Sequence, residues 1–90
     1  MPLFAVICTD KPDHLQTRLD NRADHVAYLK ETDAVMAGPF LNGDDAMYGS
    51  LVVIDVDDMD AANAWAAGDP YAKAGLFDDV RIEKWNKVIG

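Results

Sequence analysis

The stretch YGSLVVIDV, residues 48 to 56, is the strongest strand signal in the chain and decides how the fold is assembled. β-Branched and aromatic residues dominate it, Gly49 and Ser50 open it, and Asp57-Asp58 close it. A strand with one wet face alternates apolar and polar residues, yet Leu51, Val52, Val53 and Ile54 are apolar in succession. Both faces of this strand therefore require cover. The cover has to come from the rest of a 90-residue chain, or from a second copy of it.

Upstream, LFAVICT (3–9) is a short apolar strand broken by Asp10-Lys11-Pro12-Asp13. From Asp13 to Thr32, Leu15, Leu19, Val26 and Leu29 recur as one face of a helix. Asp10 or Asp13 can cap its start, and Pro12 suits its first turn. AVMAG (34–38) reads as a strand ended by Gly38-Pro39, and LNGDDAMYG (41–49) as a loop. Downstream, Asp57-Asp58 open a second helix with Met59, Ala62, Trp65 and Ala66 on one face, and Gly68 supplies a left-handed stop. DVRIEKWNKVI (79–89) is the last strand, with Val80 and Ile82 on one face and Arg81 and Glu83 on the other.

The order is βαββαβ: one α+β domain spanning 1–90, its two helices on one face of the sheet. Nothing in the chain remains to cover the other face, so the expected cover is a second copy, sheet against sheet.

Half the residues are hydrophobic, which fits a folded chain. The net charge of −8, with scattered Lys and Arg, excludes nucleic acid or an anionic membrane as partner. No apolar run approaches the roughly 20 residues that span a bilayer, and no signal peptide is visible. A cytoplasmic protein is expected. The single cysteine, Cys8, lies within the first strand and reads as a buried, inert thiol.

The chemistry available is narrow. His14 and His25, eleven residues apart on one expected helix, stand about 16 Å from each other and cannot share a metal ion. No phosphate loop or nucleophile elbow occurs, so neither metal nor cofactor is expected. His25 lies at the edge of the apolar stripe. It is either a boundary histidine or a general acid–base, because imidazole titrates near neutral pH. Arg22 falls near the middle of that stripe, where a guanidinium needs an anionic partner or must snorkel out. Asp69 is a natural cap for a short helix opened by Pro70 and closed by Gly75. Tyr71 either packs its ring or offers its hydroxyl to a cleft, and Ser50 stands at the mouth of a strand.

Three segments carry a more specific likeness: RADHVAYL (22–29), AGPF (37–40) with YGSLVVIDV, and AWAAGDPYAKAGLF (64–77). With Arg-x-x-His-x-x-Tyr-Leu, Gly-Pro, Gly-Ser and Asp-Pro-Tyr in this order, the whole chain resembles the YciI-like (YCII-related) family of the dimeric α+β barrel superfamily. The resemblance implies a ferredoxin-like antiparallel sheet packed on a partner's sheet. It also implies a histidine–aspartate pair at His25 and Asp69, with Ser50, Tyr71 and Arg22 near the cleft. The family includes an enzyme that eliminates hydrogen chloride from a chlorinated hydroxyhydroquinone. The expected mechanism has one Asp69 oxygen holding the short helix and the other orienting His25, which moves a proton on a small cyclic phenol or carbonyl compound. Ser50 or Tyr71 then meets the developing oxyanion, in a hollow formed where two copies stack. Two other readings stand beside it: a module that binds a small ligand in the same cleft without chemistry, and a structural protein in which Asp69 only caps.

Overall fold

In the computed structural model, which describes residues 2–90, four strands form one antiparallel sheet. The elements are β1 (Leu3–Asp10), α1 (Leu15–Asp20), α2 (Arg22–Glu31), β2 (Met36–Leu41), β3 (Met47–Asp55), α3 (Met59–Gly68), α4 (Pro70–Lys73) and β4 (Phe77–Trp85). The strand order is β2-β3-β1-β4, the ferredoxin-like arrangement of an α+β fold. Val52 pairs with Val6 and with Ala37, so β1 and β3 form the middle of the sheet.

The core lies on the helix side. Phe4, Val6 and Cys8 of β1 and Val52 and Ile54 of β3 pack against Ala62 and Trp65 of α3. Val6, Val52 and Ile54 are fully buried, each worth roughly 1.5–3 kcal/mol. On the opposite face, strand alternation places Leu3, Ala5 and Ile7 of β1 beside Leu51 and Val53 of β3. Met36 and Trp85 flank them, 47% and 40% exposed.

The expected helix over 13–32 is two helices, broken at Asn21 (φ −108°, ψ 6°). The break changes what faces the sheet. Leu15 and Leu19 are 48% and 47% exposed, and the buried residues of α1 and α2 are Arg18 and His25. The stripe therefore holds only in its second half: Leu15 and Leu19 of α1 face water, while Val26 is half-buried and Leu29 packs against the core. Neither Asp10 nor Asp13 caps α1: His14 takes that position, its Nδ1–H donating to the Pro12 carbonyl at 2.8 Å.

β2 continues through Gly38-Pro39 to Leu41 instead of ending there, because an edge strand tolerates a proline that lacks a ladder donor. β4 ends at Trp85, short of the expected residue 89. Gly68 does not adopt a left-handed conformation, whereas Gly75 (φ 74°), just beyond α4, does. Gly68 is small for another reason. A Cβ there would lie 2.6 Å from the Tyr28 hydroxyl, which donates to the Trp65 carbonyl at 2.7 Å and ties α2 to α3.

Burial, reinforced by the nearby carboxylates of Asp69 and Asp10, pushes the Cys8 thiol up to about 12. It stays protonated at neutral pH and is no nucleophile. No helix among the described residues is long and apolar enough to cross a membrane.

Candidate active site

Five elements bring polar side chains together at one end of the helix-side core. β3 contributes Ser50, whose partners across the sheet are Cys8 and Pro39. The end of β1 contributes Asp10, where the register shifts at Thr9/Asp10 and re-aims the strand. α1 contributes Arg18, α2 contributes His25, and the Asp69-Pro70-Tyr71 turn opens α4.

Two hydrogen-bonded groups result. In the first, His25 Nδ1 lies 2.7 Å from Asp69 Oδ1, and the same oxygen accepts the Tyr71 backbone N–H at 3.0 Å. The expected division of labour between the two Asp69 oxygens is thus replaced by one shared oxygen. An ionised carboxylate only accepts, so Nδ1 carries the proton and Nε2 of neutral His25 keeps its lone pair. In the second group, Arg18 donates from Nε and Nη2 to the two oxygens of Asp10, both at 2.8 Å. Its Nη2 also donates to Ser50 Oγ at 2.8 Å.

Tyr71 joins the groups. Its ring stacks on His25, with centroids 3.9 Å apart and 13° between planes, and the Arg18 Cζ stands over the ring at 4.8 Å from its centroid. Arg18, His25, Ser50, Asp69 and Tyr71 are all buried. A polar group taken from water without a partner costs several kcal/mol, so such a density of buried polar residues needs a purpose or a full set of bonds.

Burial alone would pull the Arg18 guanidinium down, but the hydrogen-bonded Asp10 carboxylate outweighs it and holds the group above its ordinary range. Burial raises the Tyr71 phenol, against the opposing pull of Arg18 and Arg22. Every fully buried side-chain nitrogen and oxygen among the described residues has a partner. The Arg18 guanidinium is also a hydrogen-bonding neighbour of the Tyr71 hydroxyl, while His25 Nε2 is the ring nitrogen that the Asp69 contact does not use.

Of the residues singled out in the sequence, the structure brings together His25, Asp69, Ser50 and Tyr71. Arg22 is exposed on α2 and makes no hydrogen bond among the described residues, although its charge still acts on Tyr71. The motif missed Arg18 and Asp10. Arg18 precedes His25 by seven residues, a same-face spacing, but on an unbroken helix Arg22 shares that face too. The break at Asn21 keeps Arg18 inward and releases Arg22.

The site lies on the helix side of the sheet, not in a hollow between stacked sheets, and one chain supplies all of these contacts. A surface cleft of about 480 Å³ lined by Pro2, Leu3, Lys84, Trp85, Asn86 and Lys87 includes none of them. Without convergent acid–base groups it is the weaker candidate. No group of three or more His, Cys, Asp or Glu residues placed to hold a metal ion occurs among the described residues.

Comparison with known proteins agrees with this architecture. Protein YciI of Escherichia coli is 33% identical, with 97% of this chain and 99% of the relative aligned. A Haemophilus influenzae protein is 35% identical, over 96% of this chain and 98% of its own. Among solved structures, 5-chloro-2-hydroxyhydroquinone dehydrochlorinase (TftG) of Burkholderia phenoliruptrix AC1100, in complex with 2,5-dihydroxybenzoquinone, superposes with a TM-score of 0.86. It is 34% identical and covers 93% of each chain. The YCII-related domain model matches residues 2–86, and the chain belongs to that family.

Proposed function

We propose that the chain is an acid–base enzyme for a small cyclic phenolic or carbonyl substrate, of lyase or isomerase type, with His25 as the proton-transferring group. The observation that carries this is the 2.7 Å contact of His25 Nδ1 with Asp69, which leaves Nε2 as a free base in an otherwise buried cluster. Nε2 removes a proton from the substrate, Asp69 holds the tautomer and offsets the imidazolium that forms, and the same nitrogen returns the proton. Ser50 and Tyr71 face the oxygen on which negative charge develops, and Arg22 supplies positive charge at the mouth. The activity in the name of TftG supports this substrate class.

The test is turnover of 5-chloro-2-hydroxyhydroquinone and related small phenols by wild type and by His25→Gln. The variant is expected to be slower by about 10²–10⁴-fold, the usual contribution of a positioned acid–base group. Equal rates would show that His25 moves no proton. Binding without any chemical change in the wild type would favour a ligand-binding module using the same residues.

The protein is further proposed to act as a homodimer through the open sheet face. Leu3, Ile7 and Leu51 there are only partly covered within one chain, and Met36 and Trp85 are half exposed. Sedimentation equilibrium is expected to give twice the chain mass, and Ile7→Asp to give a monomer. A wild type that sediments as a single chain at micromolar concentration would exclude this partner.

A further inference from the structure

His25 and Asp69 are carried by different helices, and one set of hydrogen bonds fixes those helices to each other. Tyr28 lies one turn after His25 on α2, and Trp65 lies one turn before Asp69, the residue that ends α3. The Tyr28 hydroxyl donates to the Trp65 carbonyl at 2.7 Å. In return, the Trp65 Nε1–H donates to Thr32 Oγ1 at 2.9 Å, and the Thr32 hydroxyl donates to the Tyr28 carbonyl at 2.7 Å. The circuit closes on itself, with the two rings 5.2 Å apart and tilted at 40°. Burial, with the Asp69 carboxylate nearby, raises the Tyr28 phenol, so its hydroxyl stays a donor at neutral pH. The acceptor sits at a decisive point of the chain. Were α3 to continue, the Asp69 N–H would donate to the Trp65 carbonyl. Instead that N–H turns to the Ala66 carbonyl at 3.3 Å, and Asp69 takes an extended backbone (φ −62°, ψ 127°). The Tyr28 hydroxyl thus fills a carbonyl that the helix end leaves open. Gly68 makes room for it: a Cβ there would lie 2.6 Å from the hydroxyl oxygen and 3.3 Å from Cζ.

We propose that Tyr28 is a positioning residue of the site. By capping α3 at Trp65 from the neighbouring helix, it stops α3 where Asp69 can turn toward His25, and so fixes the imidazole proton on Nδ1. The inference rests on the reading of His25 and Asp69 as the acid–base pair, and adds the device that sets their geometry. Tyr28 hydrogen-bonds neither member of the pair and acts through the two backbones. Without its hydroxyl, the open Trp65 carbonyl competes for the Asp69 N–H, which winds α3 onward and draws the carboxylate off Nδ1. Thr32 is the second support, since its hydroxyl holds the Trp65 indole against α2.

The ring nitrogens of His25 report on this without any substrate. In nitrogen NMR with the imidazole neutral, wild type is expected to show the Nδ1–H tautomer, and His14→Gln removes the chain's other imidazole for assignment. Tyr28→Phe keeps the ring and removes the hydroxyl, and is expected to lower the ratio of Nδ1–H to Nε2–H by about 3–10-fold. Thr32→Val is expected to lower it in the same direction, and Thr32→Ser, which keeps the hydroxyl, to restore it. Gly68→Ala pushes the Tyr28 hydroxyl off the carbonyl and is expected to shift the ratio as far as Tyr28→Phe. Combining the two is expected to add little, because both break the same bond. Ile54→Val, a core change outside the circuit, is expected to lower the urea midpoint and leave the ratio within about twofold of wild type. A merely structural Tyr28 would move the midpoint and not the ratio. The inference is overturned if wild type carries the proton on Nε2, if Tyr28→Phe and Gly68→Ala leave the ratio unchanged, or if Ile54→Val shifts it equally. Should Tyr28→Phe fail to fold, Gly68→Ala and the two Thr32 variants carry the same test. Failure of the acid–base reading appears elsewhere, in the turnover of His25→Gln, and leaves these spectra intact.

Discussion

Asp69→Ala is expected to cost roughly 2–4 kcal/mol of stability and to slow turnover by about 10²–10⁴-fold, the largest combined effect of any single substitution in the site. The reason is that one oxygen serves two donors. Oδ1 accepts the Tyr71 backbone N–H at 3.0 Å and the His25 Nδ1–H at 2.7 Å, and both residues are buried. Alanine removes a helix cap, worth about 1 kcal/mol, and strands an imidazole donor, which costs about 1–3 kcal/mol more. Without the acceptor, His25 is free to carry its proton on Nε2, where it is no longer a base. Asp69→Asn separates the two contributions. The amide oxygen still accepts both bonds, so stability should stay within about 1 kcal/mol of wild type, while the charge that offsets an imidazolium is gone and turnover falls. Urea denaturation and single-turnover rates on the same samples give both quantities. A stable, fully active alanine variant would mean that the shared oxygen holds neither partner.

Gly49→Ala is expected to destabilise the fold by roughly 2–4 kcal/mol, a large penalty for adding one methyl group. An added Cβ at this position would lie 2.3 Å from the Cys8 carbonyl oxygen and 3.1 Å from a Phe40 ring carbon. The ring could turn aside, but the carbonyl belongs to β1, which is paired on both sides by β3 and β4 and has nowhere to retreat. The strain would reach the site as well, since Ser50 is the next residue and depends on β3 to meet Arg18. The check is a lower midpoint in urea at an unchanged slope. A variant within about 0.5 kcal/mol of wild type would show that the two strands separate more easily than their pairing implies.

Local pattern determined much of this protein. Consecutive apolar residues at 51–54 give a central strand, Asp58 caps α3 by accepting from the Ala61 N–H at 2.8 Å, and Asp69-Pro70 opens α4. Each of these depends on residues within one turn or one strand, where sequence spacing and spatial neighbourhood are nearly the same. The motif residues His25 and Asp69 are also legible in the sequence, but their contact spans 44 positions and is made by packing. The tertiary structure alone decided which arginine enters the site. Spacing puts Arg18, Arg22 and His25 on one helical face, and only the break at Asn21, followed by the docking of each short helix, turns Arg18 inward and Arg22 to water. A buried guanidinium needs a carboxylate to meet it, and the register shift that aims Asp10 at Arg18 arises from the pairing of β1 with β4. Local preference reaches along a few residues; the balance between burying a charge and pairing it is struck only when distant strands and helices come together.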